Sequence, residues 1–472
     1  MINNENKLFY FFWAVGSLGL LIIALFTNGT GGGGDSVLHY LFAKYAYQHP
    51  QNLLNHWAKP FFTLLASPFT IMGFTGIKLF NVICSSASVW FAYKLLKFWN
   101  TKTSWALAPI LFSTTLFVTV TLSGLTEPLS ALILTSAIYF VSKQKMVIGL
   151  VIVSFMPFVR SEGLIILGVF LFYLAIKRYF KYIPFLLAGH VIYAIAGYPY
   201  YQDIFWIFTK IPYADQSTRY GSGEWEHFLV QLNFQTGPLT YILFWLGCIS
   251  TFVKIIFYNK STKIEKGFSE KFWLVYGCFF AFLAAHTSFW ALGIFNSMGL
   301  VRVFVSVMPL LVIICVDGLN LINLPKYNAR LSKLPILLTS LIVAIIVYIP
   351  FTNGKYQYNI PSDFILSKEQ KIIHDNLKPE IVEKWSNNTI VFTDPNIPYI
   401  LNLDPFDGVK CEWYYNLQHP SMLSDKKILI ADIWFSKTEW GHSVESMLQD
   451  SSLKLESCFP KTDPIYYVFS KR

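Results

Sequence analysis

Long apolar runs, many of them about 17–22 residues, recur along most of this chain, and a run of that length satisfies its backbone inside a bilayer only as a helix. They are Leu8–Phe26, Ile77–Leu96, Trp105–Leu122, Leu129–Val141, Val147–Phe158, Leu164–Ile176, Tyr182–Ala196, Leu239–Phe257, Phe272–Leu292, Leu300–Val316 and Leu334–Ile349. Their residues do not alternate in polarity, which favours helices over a barrel. The fold class expected is a polytopic α-helical membrane protein with about 11 transmembrane helices. Val147–Phe158 and Leu164–Ile176 are short and separated by Arg160-Ser161-Glu162-Gly163, so they are either two spans or one bent element. The region before Leu8 carries one Lys and one Glu and no cleavage site follows the first run, which reads as an uncleaved signal anchor.

Charged residues make up 14% of the chain, against about 25% in a soluble domain, and mean hydropathy is +0.46. The net charge of +10 would suit nucleic acid if the cations were clustered, but they are dispersed over short loops, so no nucleic acid partner is expected. With the N-terminus in the cytoplasm, the inner loops carry Lys94, Lys97 and Lys102; Lys143 and Lys145; Lys177, Arg178 and Lys181; Lys260, Lys263, Lys266 and Lys271; and Lys326, Arg330 and Lys333. The outer loops are nearly free of Lys and Arg, which sets the orientation. The expected location is a cell inner membrane or plasma membrane.

Two outer regions are large. Thr27–Phe74 contains helical patterns at Ser36–Gln48 and Asn52–Leu65. Tyr198–Thr236 places Trp206, Tyr213, Tyr220 and Trp225 among Asp215, Arg219, Glu224 and Glu226, as segments lying on a membrane surface do. The composition turns polar at Gly354. Residues 1–353 are therefore expected to form the membrane domain and 354–472 a small extracytoplasmic α/β domain. In the latter, helices are expected at Lys368–Trp385 and His442–Leu448, and strands at Thr389–Thr393, Lys427–Ala431 and Ile465–Phe469. Cys411 and Cys458 lie in this tail and could pair if it faces an oxidising compartment.

Ionisable residues beside spans are costly and mark candidate sites. Asp35, His39, His56, Lys59, Glu127, Arg160, Glu162, His286 and Arg302 all fall near outer ends of spans. His190 departs from this pattern and reads as a hydrogen-bonded core histidine; Asp317, at an inner boundary, reads as interfacial. Asp35 ends a run of four glycines, and if a helix starts there it shares a face with His39. A flexible loop with Asp35 as helix cap fits the same residues. Glu127-Pro128 also suits a plain helix start, Arg160 and Glu162 a structural ion pair, Arg302 a snorkelling residue and His286 a packed one. As a set, a carboxylate suits general-base work toward a hydroxyl, and Arg and Lys suit a phosphate leaving group. A transporter or flippase of lipid-linked sugars is the alternative, and it predicts midplane charges and repeated halves, neither of which the sequence contains.

Several segments resemble the polytopic C-superfamily (GT-C) glycosyltransferases that use polyprenyl-phosphate sugars, in particular mannosyltransferase-like members. They are GGGGDSVLHYLFAKYAYQHP, NHWAKPFFTLLASPF, LSGLTEPLSALIL, PFVRSEGLIIL and FNSMGLVRVFVSVMPLL, in that order. The resemblance implies transfer, with inversion, of a mannose-like hexose from a polyprenyl-phosphate donor to a glycan, lipid or protein acceptor on the outer face, among membrane lipids. It implies that Asp35 is the catalytic base or an acid that positions the acceptor, and that Lys59 and Arg302 meet the donor phosphate. Glu127, Arg160 and Glu162 would line or brace the pocket, beside His39, His56 and His286. The chain departs from the family in having one acid at Asp35 where many members have an adjacent pair, and one proline, Pro60, where the W-x-K-P-P-L segment has two. No cofactor is expected, since a metal site needs more than one carboxylate.

Overall fold

The computed structural model describes residues 4–31, 33–212, 220–256, 267–321, 334–352, 364–417 and 419–472. Tyr213, Asp215, Arg219, Phe257, Lys260, Lys263, Lys266, Lys326, Arg330, Lys333 and the domain boundary expected at Gly354 lie outside the described residues.

Among the described residues, seven helices are long and apolar enough to cross a membrane: Glu5–Phe26, Phe74–Phe98, Phe180–Tyr201, Pro238–Ile256, Phe268–Leu292, Val301–Asn320 and Leu334–Phe351. An eighth span is made if Ser104–Ser113 and Thr115–Thr121, bent by 68°, are taken together. The bend falls at Thr114, whose backbone is extended and whose hydroxyl bonds back to the Ile110 carbonyl. The expected spans at Leu129–Val141, Val147–Phe158 and Leu164–Ile176 are the helices Glu127–Ser142, Met146–Phe158 and Gly163–Ile176. Each is shorter than the roughly 20 residues that cross a bilayer unaided, so helix length alone does not give eleven spans. The chain is an integral, multi-pass membrane protein.

Burial orders the bundle. In the most hydrophobic stretch of Val301–Asn320, 89% of residues are buried, against 17% in Glu5–Phe26. The first is a central helix, while the second turns an apolar surface outward, as lipid requires. Phe74–Phe98 packs along Glu127–Ser142, and Pro238–Ile256 along Met308–Asn320. Asp317 is buried rather than interfacial. It pairs with Lys271 and accepts a 2.9 Å bond from the Tyr276 hydroxyl, so partners on the preceding span Phe268–Leu292 allow it to leave the surface. His190 is buried between Phe158 and Phe208, and its Nδ1 has no hydrogen-bond partner. It is a packed histidine, not the hydrogen-bonded one expected.

The C-terminal part is a five-stranded sheet of β1 (Thr389–Phe392), β2 (Cys411–Trp413), β3 (Lys427–Asp432), β4 (Leu453–Phe459) and β5 (Tyr466–Lys471), in the order β2-β1-β3-β5-β4. β2, β1 and β3 run parallel, and β5 and β4 complete it antiparallel. Lys368–Lys384 is helical behind a Ser367/Gln370 capping box. Cys411 and Cys458 sit on the two opposite edge strands and are both free, so the possible disulfide is not formed.

This sheet domain docks on the first large loop. There the helix Gly33–Lys44 is followed by Pro50–Leu54 and Pro60–Ala66. Gln370 Nε2 donates to Thr30 Oγ1 at 2.8 Å, His49 Nε2 meets Asp404 Oδ2 at 2.9 Å, and Lys44 Nζ donates to Asn402 Oδ1 at 2.6 Å. Phe406 packs on Phe42, and Tyr399 on Tyr40 and Phe74.

Candidate active site

Asp35 lies in the first turn of Gly33–Lys44, two residues inside the helix start rather than at its cap. Its carboxylate is therefore available to a partner, and Oδ2 meets Arg302 Nη2. Arg302 is held at the end of the buried helix Val301–Asn320, and its Nε lies 3.9 Å from Glu127 Oε1. Glu127 is fully buried and opens the helix Glu127–Ser142, where the helix dipole favours a carboxylate. The same oxygen meets Arg160 Nη1 at 2.6 Å. Arg160 Nη2 in turn donates to Glu162 Oε1 at 2.8 Å, and that oxygen lies 3.7 Å from His286 Nε2. Six of the residues expected in the site thus form one continuous chain: Asp35, Arg302, Glu127, Arg160, Glu162 and His286. Arg302 is not a snorkelling residue, because it is folded inward between two acids.

Lys59 joins from the side, where its Nζ donates to Ser161 Oγ at 2.9 Å. Its backbone φ of 67° is in the left-handed region, a strained state for a non-glycine residue, and Pro60 follows as the first residue of the next helix. Burial pushes the Lys59 ammonium down to about 8, against the pull of Glu162 and Asp35, with Arg160 lowering it further. His39, one turn after Asp35, stacks on Trp57 at 5.0 Å. Burial lowers its imidazole to about 3 despite Asp35 nearby, so it is neutral. His56 is set apart from the chain. It bonds the Ile207 carbonyl at 3.0 Å and shares a small cavity with Ser161 and His190. Burial, then the Lys59 charge, lowers it to about 4.

Residues not singled out in the sequence hold this chain in place. Ser36 Oγ donates to the Thr30 carbonyl at 2.6 Å and accepts from the Gly124 amide at 2.7 Å. Asn81 Nδ2 donates to the carbonyls of Ser123 and Leu125. Together they fix the turn that delivers Glu127. A Cβ at Gly124 would lie 2.3 Å from the Ser36 carbonyl oxygen, so only glycine lets this turn reach the Asp35 helix. A short polar residue inside an apolar run, such as Asn81, was the available signal. From above, Phe435 and Pro395 of the sheet domain cover Gly34. Among the described residues no group of three or more His, Cys, Asp or Glu is arranged to hold a metal ion.

No family model matches the chain, and no curated protein matches it in sequence. Solved structures do match. ArnT from Cupriavidus metallidurans bound to undecaprenyl phosphate superposes with a TM-score of 0.62 at 10% identity, covering 97% of this chain and 97% of ArnT. Apo ArnT from the same organism gives 0.66 at 10% identity, covering 99% and 98%. The fold is that seen in ArnT. The likeness runs over nearly the full length of both chains and includes the C-terminal sheet domain, so the expected layout of a helical membrane bundle followed by a small α/β domain is shared with ArnT.

Proposed function

We propose that this protein is a membrane glycosyltransferase that takes a hexose, mannose-like, from a polyprenyl-phosphate donor and passes it to an acceptor hydroxyl with inversion. The observation that carries the reading is the convergence of Asp35, Arg302, Glu127, Arg160 and Lys59 beneath the sheet domain. The acceptor oxygen attacks the anomeric carbon, and its proton passes to the Asp35 carboxylate. The bond from that carbon to the phosphate oxygen breaks, and polyprenyl phosphate leaves with the electron pair. Lys59 and Arg302 stabilise the phosphate charge, Arg302 through the guanidinium fork. Glu127 and Arg160 keep Arg302 in register, and neutral His39 closes the wall beside Asp35.

No metal has a role in this proposal. Asp35 and Glu127 face guanidinium groups, and Glu162 is bonded to Arg160. The orientation proposed is N-terminus cytoplasmic and sheet domain outside, from the asymmetry of Lys and Arg over the loops. A reporter fused after Arg472 should be active only outside the cytoplasm.

The test is turnover by the purified full chain of a labelled polyprenyl-phosphate hexose, read as release of polyprenyl phosphate. Asp35→Asn keeps the helix and removes basicity, so release should fall about 10²–10⁴-fold with donor binding kept. Wild-type turnover in Asp35→Asn would refute the base, and absence of release with every polyprenyl-phosphate hexose would refute the donor class.

A further inference from the structure

Two histidines outside the ion chain meet in one place. His56 and His190 are 6% and 8% exposed, and Nδ1 of each is buried with no hydrogen-bond partner among the described residues. They come from different elements, His56 from the turn before Lys59 and His190 from the span Phe180–Tyr201. Both line one cavity together with Ser161, whose other walls, among them Pro157, Phe158 and Leu164, are apolar. Buried polar atoms are seldom left unpaired, and here two of them border the same space.

The hydrogen bonds around the cavity define what it can take. His56 Nε2 meets the Ile207 carbonyl at 3.0 Å. A carbonyl only accepts, so Nε2 carries the proton and Nδ1 of the neutral ring is a bare acceptor. Ser161 Oγ accepts from Lys59 Nζ at 2.9 Å, which leaves the Ser161 O–H to donate. His190 Nδ1 needs a partner in either tautomer. One water can accept from Ser161, donate to His56 and close a third bond with His190, the usual number for a buried water. The space fits, since the centre of a water-sized sphere can move over about 10 Å³, against the roughly 10–15 Å³ that a water needs. A metal ion does not suit the same place, because Ser161 already faces an ammonium and no carboxylate lines the cavity.

We propose that His56 and His190 are positioning residues for Lys59, acting through one buried water and Ser161. The inference rests on the glycosyltransferase reading, in which Lys59 meets the donor phosphate. By donating to the water, the Ser161 hydroxyl turns its lone pairs toward Lys59 and is polarised, which strengthens the bond it accepts from the ammonium. The charged groups that also act on Lys59 are Glu162, Arg160 and Asp35, with neutral His39 and His56 close by.

The test follows the Lys59 titration in the purified full chain by the ε-carbon NMR resonance of isotope-labelled lysine, assigned by its loss in Lys59→Arg. The alkaline limb of kcat/KM for polyprenyl phosphate release is read beside it. His190→Phe keeps a ring against Phe158 and Phe208 and lacks Nδ1. His56→Leu removes both ring nitrogens, and His56→Gln keeps a donor for Ile207 and an acceptor for the water. His56 is neutral above pH 6, so its loss changes no charge. Losing one neutral hydrogen bond should lower the Lys59 midpoint and the limb by about 0.4–1 pH unit in His190→Phe and in His56→Leu. His56→Gln should return both toward wild type. A pair that only packs would lower Tm and turnover and leave the midpoint in place. An unmoved midpoint in both deletion variants therefore overturns the proposal, as does a midpoint in His56→Gln no nearer to wild type than in His56→Leu. Stoichiometric metal in the purified chain that is lost in His56→Leu would put an ion where the water is proposed and overturn it too. If His56→Leu does not fold, His190→Phe decides. If wild type releases no polyprenyl phosphate from any hexose donor, the glycosyltransferase reading fails, while the titration still decides whether the histidines act on Lys59.

Discussion

The lowered pKa of Lys59 predicts an alkaline limit on donor use. A free lysine titrates at about 10.4, whereas burial takes Lys59 to about 8. It is therefore about nine-tenths charged at pH 7 and about one-tenth charged at pH 9. A phosphodiester donor keeps a fixed charge over this range, so it contributes no limb of its own. kcat/KM, which reports the free enzyme, should fall above pH 8 by about tenfold per unit. Bound phosphate favours the charged amine, so the limb in kcat should lie at higher pH than the limb in kcat/KM. Lys59→Arg keeps a cation that does not titrate in proteins. Whatever its absolute rate, its profile should lose the alkaline limb. Lys59→Gln should be uniformly poor and flat. The assay is initial-rate release of polyprenyl phosphate from pH 6 to 10, with folding checked at each pH. A wild-type kcat/KM level up to pH 10, or an unchanged limb in Lys59→Arg, would refute a phosphate-binding Lys59.

Other outcomes follow from the same geometry. Arg302→Lys keeps charge but loses the fork between Asp35 and Glu127, and should lower kcat/KM about tenfold to a hundredfold; an unchanged value would remove Arg302 from the phosphate site. Glu127→Gln leaves Arg160 and Arg302 facing each other without their shared anion. It should cost about 3–5 kcal/mol of stability and about a hundredfold or more in activity through misplaced Arg302, read by thermal unfolding and turnover; a stable, active variant would refute the organising role. In the sheet domain, burial and then the neighbouring Asp432 raise the Asp394 carboxyl to about 7. A raised carboxyl stabilises the fold while protonated and loses that contribution as pH rises through 7. Asp394→Asn should therefore gain in Tm relative to wild type between pH 5 and pH 8, and a difference that is constant across that range would contradict the assignment.

Hydropathy made the membrane architecture legible, because backbone satisfaction in lipid leaves few alternatives. The loop acid and the cations near span ends were legible for the same reason of cost. Which acid meets which cation was not. Asp35 and Arg302 are 267 residues apart, and Glu127 is shared by Arg302, on the helix Val301–Asn320, and Arg160, in the turn before Gly163–Ile176. The strands β1, β3 and β5 were visible as apolar runs. β2 has three residues and offers no period to read, and β4 carries a register shift between Leu455 and Ser457 that breaks its alternation. The partner of Asp317 could not be read because Lys271 appeared as one of many inner-loop lysines.

The docking of the sheet domain sets a timetable for the molecule. Asp35 leaves the ribosome long before the sheet domain does: Thr30, just before it, is bonded to Gln370, synthesised 340 positions later. Phe435, which covers Gly34, comes later still. Until those residues are made, the Asp35 loop lacks its clamp from the sheet domain. On the proposed function, the site is complete only once the sheet domain has folded onto that loop, so a nascent chain would gain activity only after the sheet domain reaches the same side of the membrane as the loop.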